Sequence, residues 1–88
     1  MPAARYVRAL TSEEHQALQE TYRATHDADL RTRCQMILLS GARQSVADIA
    51  TVTFFDQDTV LYWLDRYEAE GLAGLAERSR SGRPPKSR

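Results

Sequence analysis

Cys34 is the only cysteine among 88 residues. No intrachain disulfide can form, and no cluster of thiolates can hold zinc. Long apolar runs are missing too. Residues 1–10 lack the apolar stretch of about 7–15 residues that a signal peptide needs, and nothing approaches the roughly 18 apolar residues of a membrane span. The expectation is a soluble, cytoplasmic protein with no membrane partner. Catalytic groups are equally scarce. His15 and His26 have no carboxylate cluster beside them, and Ser40, Ser45 and Thr59 have no histidine at an evident partner position. The chain is therefore expected to be no enzyme, with no metal site, no cofactor and no small-molecule ligand. Its length excludes a nucleotide-binding sheet, a barrel or a nuclease core, and is about that of one small domain.

What is present begins with an uneven distribution of charge. The chain is formally neutral, with 12 Lys and Arg against 12 Asp and Glu. Residues 78–88, however, carry Arg78, Arg80, Arg83, Lys86 and Arg88 and no acid. Residues 1–77 hold the other seven bases against all twelve acids. A basic tail behind an acidic body is either an arm for a polyanion or a solvated terminus. The tail also holds Gly82, Pro84 and Pro85 and no large apolar residue from Ser79 onward, so it builds no core. The boundary expected is a domain over 1–77 and a basic arm over 78–88.

The body reads as all-α. Residues 1–10 form an irregular lead-in. Thr11 with Glu14 three residues later is a capping box opening a helix over about 12–24, its apolar spacing carried by Leu18 and Tyr22. Asp27 caps a second helix, about 28–40, whose stripe is Leu30, Cys34, Ile37 and Leu38. Cys34 on that stripe is expected to pack as a small hydrophobe. Gly41 is expected to close the helix in a left-handed conformation. Ser45 caps a short helix over 46–52. After an interruption at Thr53-Phe54-Phe55, Asp56 caps a fourth over 57–70 with Val60, Trp63, Leu64 and Tyr67 inward. Gly71 stops it, and Leu72 and Leu75 fold back as a turn.

A short helix, a tight turn and a longer helix with an inward aromatic stripe make a helix-turn-helix. Its second helix suits a DNA major groove about 12 Å wide, with outward side chains near its N-terminus meeting base edges. Gln57, Asp58, Leu61, Tyr62 and Asp65 take those outward positions. Ser45, Gln57, Asp58, Thr59, Tyr62 and Arg66 are the candidate contacts to bases or phosphates. Asp58 either accepts from cytosine N4 or serves as a capping or solvated group. Arg80, Arg83 and Lys86 flank Gly82 and the two prolines, an arrangement that lets an arginine enter a narrow A·T-rich minor groove. Arg31, Arg33 and Arg43 are either phosphate contacts or part of a solvated face.

The run Ser45-Val46-Ala47-Asp48-Ile49-Ala50, then Asp56, Thr59, Val60, Trp63, Leu64, Arg66 and Tyr67, then Gly71-Leu72 with Gly74-Leu75, and finally Arg80-Ser81-Gly82-Arg83-Pro84 is distinctive in its order and spacing. It resembles the N-terminal DNA-binding region of bacterial insertion-sequence transposases of the mariner superfamily, over about residues 30–86. The resemblance implies a homeodomain-like helix-turn-helix that binds the inverted ends of a transposon, followed by a Gly-Arg-Pro linker in the minor groove. In that family a second helix-turn-helix and a metal-dependent DDE catalytic domain come next. The chain ends at Arg88, so the expectation is an end-recognition module without strand-cleaving activity. The family's turn usually has glycine where this chain has Phe54, a bulky residue for a left-handed position. Relatives often carry a basic or neutral residue at the position of Asp58.

Two other readings stand beside it. One is a small helix-turn-helix transcriptional regulator binding an operator. The other is a helix-turn-helix repurposed for protein association, forming a homodimer through Phe54, Phe55, Leu61 and Tyr62. The alternative for the two phenylalanines is that they close the core from the turn. Residues 44–77 hold one base, Arg66, against seven acids, which weakens phosphate attraction for the isolated unit.

Overall fold

A computed structural model describes residues 5–76, which form five α-helices and no strand among the described residues. They are α1 (Ser12–Ala24), α2 (Ala28–Gly41), α3 (Val46–Thr53), α4 (Gln57–Glu70) and α5 (Leu72–Ala76). The fold is all-α, as the sequence predicts. The tally of four helices falls short by one, because the Leu72–Leu75 turn is a short helix.

Polar side chains start the first four helices. In α1 the Thr11 hydroxyl accepts from the Glu14 N–H while Glu14 accepts from the Thr11 N–H, both at 3.0 Å. Asp27 accepts from the N–H groups of Asp29 and Leu30. Ser45 and Asp56 each accept from the N–H three residues on. Each cap satisfies N–H groups that have no partner inside the helix.

Endings depart from expectation. Gly41 remains helical, and the left-handed residue is Arg43, with φ 70°. The Gln44 N–H reaches back to the Leu39 carbonyl at 3.0 Å, closing α2 in a Schellman arrangement. The space at Gly41 matters instead, for a Cβ there would lie 2.9 Å from Leu10 Cδ1. Phe54 closes α3 in the same way, at φ 64° and ψ 28°, with the Phe55 N–H on the Ala50 carbonyl. Gly71, at φ 72° and ψ −158°, takes a conformation that is essentially restricted to glycine.

Helix α2 is the hub and packs against all four others. Leu18, Cys34, Ile37, Ile49, Val60, Leu64 and Leu75 are fully buried. Because α2 is covered on several sides, its buried surface is wider than the predicted stripe: Met36 and Ser40 are buried as well, whereas Leu30 and Leu38 are only partly so. Trp63 is another correction. It sits at the edge of the core, partly buried, with the Arg33 guanidinium 4.2 Å from its ring centroid. Tyr22 is exposed, so Leu18 alone anchors α1 at full burial.

The irregular lead-in is pinned. Val7 is buried and its N–H donates to the buried Ser40 hydroxyl at 2.7 Å. Arg5 meets Asp65 at 2.6 Å and Glu68 at 3.2 Å, and the Arg8 N–H donates to Glu68. Arg8 also grips Glu14 through two bonds of 2.8 Å. That grip, with the Thr11 N–H, holds the Glu14 carboxyl down at about 2.

Candidate nucleic-acid interface

Residues 54–56 join α3 to α4, and a three-residue connection fixes how the second helix leaves the first. Its conformation is costly: a left-handed backbone burdens an L-residue by roughly 1–2 kcal/mol. Phe54 is also 93% exposed, so its ring recovers almost nothing by burial. The expectation that the turn phenylalanines close the core fails for Phe54, and Phe55 remains 43% exposed. Phe54→Gly is therefore expected to stabilise the domain by about 1 kcal/mol, raising its melting temperature by roughly 4–8 °C. A lower melting temperature would mean that the ring supports the fold.

The candidate side chains divide into displayed and engaged groups. Gln57 and Asp58 are exposed in the first turn of α4, Thr59 is partly buried, and Tyr62 is 46% exposed. Asp58, Tyr62 and Asp65 follow one another at i, i+4 and i+7 and share a side of the helix. Leu61 is partly buried. Tyr62 meets Trp63 edge-on, with centroids 4.9 Å apart. The Ser45 hydroxyl is occupied as the cap of α3.

Arg66 is engaged inside the fold. Its Nε donates to the Gly74 carbonyl at 3.1 Å, and its guanidinium lies 3.6 Å from Glu70. It thus ties α5 to α4. Arg33 does the same for α2, donating to the Leu75 carbonyl at 3.1 Å while covering Trp63. Arg31 donates to the Thr25 carbonyl at 2.6 Å, and Arg43 lies over Tyr6. Arg33 is partly buried and acts within the fold, whereas Arg31 and Arg43 are exposed and belong to a solvated face. Arg80, Arg83 and Lys86 lie outside the described residues.

The resulting surface is acidic and aromatic. Asp48, Asp56, Asp58, Asp65, Glu68 and Glu70 outnumber Arg66, the one cation of α3, the turn and α4. Sequence reasoning placed Asp65 outward but missed its arginine partner, because Arg5 stands sixty residues away and no local pattern connects them. Three arginines, Arg8, Arg23 and Arg43, line an open groove of about 750 Å³ between the lead-in, α1 and the end of α2, together with Glu20 and neutral side chains. Cys34 is buried, and burial pushes its thiol up to about 11. Among the described residues no group of three or more His, Cys, Asp or Glu side chains is placed to hold a metal ion. No helix there is long and apolar enough to cross a membrane.

Comparison with known proteins adds one finding. Residues 33–88 match the family described as winged helix-turn-helix. The match takes in most of α2, all of α3, α4 and α5, and continues through the basic segment. No curated protein and no solved structure matches the chain. With more than half its residues in that match and α3 and α4 joined by a three-residue turn, the chain belongs to the winged helix-turn-helix family.

Proposed function

We propose that the chain binds double-stranded DNA, with α4 in the major groove and Arg80, Arg83 and Lys86 of residues 78–88 along the adjacent minor groove. The observation that carries this reading is the family match over 33–88, which spans both the helix pair and the arginine-rich segment. On α4, Gln57, Asp58, Thr59 and Tyr62 are the side chains for base edges, with Ser45 beside them on the first helix. The division of labour follows from charge. An acidic α4 supplies discrimination rather than attraction, and the arm supplies the attraction. Asp58 in the first turn suits a cytosine N4 donor.

The finer role is recognition of transposon ends in the cytoplasm, as a module of a transposase-like protein. Winged helix-turn-helix domains of this family occur in transposase-like proteins, and the ordered residues from Ser45 to Pro84 resemble an end-binding region. The proposed role is recognition rather than catalysis. Selection from a pool of randomised duplexes tests it. The wild-type chain is expected to enrich one motif, and Gln57→Ala with Thr59→Ala to lose part of it while still binding DNA. Enrichment of no motif would sink the specific role.

A second reading is favoured by the exposure of Phe54, Phe55 and Tyr62: self-association through the turn. Sedimentation across a concentration series separates the two. A mass that rises with concentration but without DNA affinity would favour association.

A further inference from the structure

The outer side of α4 accepts arginine. At its C-terminal end Arg5, from outside the helices, lies on Asp65 at 2.6 Å and on Glu68 at 3.2 Å. Toward the N-terminus the same side continues through Tyr62 to Asp58, and the turn just before the helix carries the exposed rings of Phe55 and Phe54. Asp58 has no hydrogen-bond or ion-pair partner among the described residues. Carboxylates and aromatic rings therefore alternate along one side of a helix, and an arginine fills one end.

We propose that the remaining length is a docking surface for this chain's own residues 78–88, with Arg80 or Arg83 on Asp58 and the Tyr62 ring. Charge complementarity is the first argument. The segment carries five cations and no acid, whereas α3, the turn and α4 carry six carboxylates, of which Asp65 and Glu68 are held by Arg5 and Glu70 by Arg66. Side-chain chemistry is the second. Guanidinium pairs with carboxylate in two-point fashion and also stacks on aromatic faces. Proline-rich segments such as that containing Pro84 and Pro85 dock on aromatic-lined surfaces.

Reach is the third argument. Arg33 holds the Leu75 carbonyl while lying over Trp63, and Trp63 meets Tyr62 edge-on, so a short series of contacts leads from the end of α5 to Tyr62. Four residues from Ala76 to Arg80 span up to roughly 13 Å. Asp58 is only about 6 Å along the helix from Tyr62. The docking is independent of any DNA role. If the same cations do meet DNA, the two contacts compete.

A spin label tests this on the full chain. Ser87→Cys provides the attachment point, because Cys34 is buried and its thiol is pushed up to about 11. At about 0.05 M salt the label is expected to erase the amide signals of Phe55, Asp58 and Tyr62. They should return in Asp58→Asn with Tyr62→Ser, and in 1 M salt, where screening acts within about 3 Å. Signals at the stripe that survive the label, or that vanish equally in the double variant, would overturn the proposal. A mixture of isotope-labelled chain without the spin label and unlabelled chain with it gives a second arm. Signal loss at the stripe in that mixture would assign the surface to a second copy and overturn the intrachain form.

Discussion

Leu64→Ala is expected to cost about 2–5 kcal/mol, enough to leave a domain of this size largely unfolded or close to it. Leu64 is fully buried on α4, in the core cluster it shares with residues of α2, α3 and α5. Trp63→Ala provides the contrast. From sequence alone the indole belongs to the core, with a truncation cost of about 3–5 kcal/mol. In the fold it lies at the core's edge beneath Arg33, so its loss removes less buried surface and is expected to cost less than Leu64→Ala. Urea denaturation of the two variants checks the order. A reversed order would place the packing centre at the indole and not on the Val60–Leu64–Tyr67 line.

Replacing Arg80, Arg83 and Lys86 together by serine is expected to flatten the dependence of DNA affinity on salt. Each cation that neutralises a phosphate contributes about 0.9 to the slope of log K against log salt, so the three account for about 2.7. The body should remain folded, because among the described residues the buried side chains run from Val7 to Leu75 and none of the three replaced residues is one of them. Fluorescence anisotropy on a random duplex measures the slope, and circular dichroism checks the fold. An unchanged slope would remove the arm from the mechanism. The calculation carries weight because the described part of the helix-turn-helix has so little positive charge to offer. Its one cation, Arg66, already holds the Gly74 carbonyl.

Local chemistry was legible in the sequence. Thr11, Asp27, Ser45 and Asp56 announce four helix starts, and each caps the helix that follows it. Val60, Leu64 and Tyr67 are buried at the spacing a helical stripe requires. Phe54 stands where the resembled family usually has glycine, and it does adopt the left-handed backbone that glycine would accept without cost. What stayed hidden depends on partners distant in the chain. Nothing local marks Arg33 as the residue that covers Trp63, or Arg5 as the partner of Asp65. Nor does periodicity show that α2, surrounded by four helices, buries Met36 off its main stripe. Helix endings misled for a related reason: a Schellman closure asks only for one left-handed residue, and at α2 the chain uses Arg43 rather than Gly41.

The candidate surface shows the same division. Sequence places Gln57, Asp58 and Tyr62 outward on α4, where they stand. It does not reveal that Arg66 is drawn inward by α5, because α5 reads as a turn when the chain is taken two leucines at a time. The acidity of α3 and α4 was visible by counting. Its consequence, attraction supplied by another segment, emerges only once the one nearby arginine is found engaged.

Binding of the full chain to random and to A·T-rich duplex DNA, followed by fluorescence anisotropy across a salt series, tests the central claim most directly. If all five cations of residues 78–88 engage phosphates, log K falls with log salt at a slope of about −4.5. A slope between about −3 and −6, with the A·T-rich duplex bound more tightly, is the predicted result. No binding at about 0.05 M salt, where phosphate attraction is strong, would contradict it.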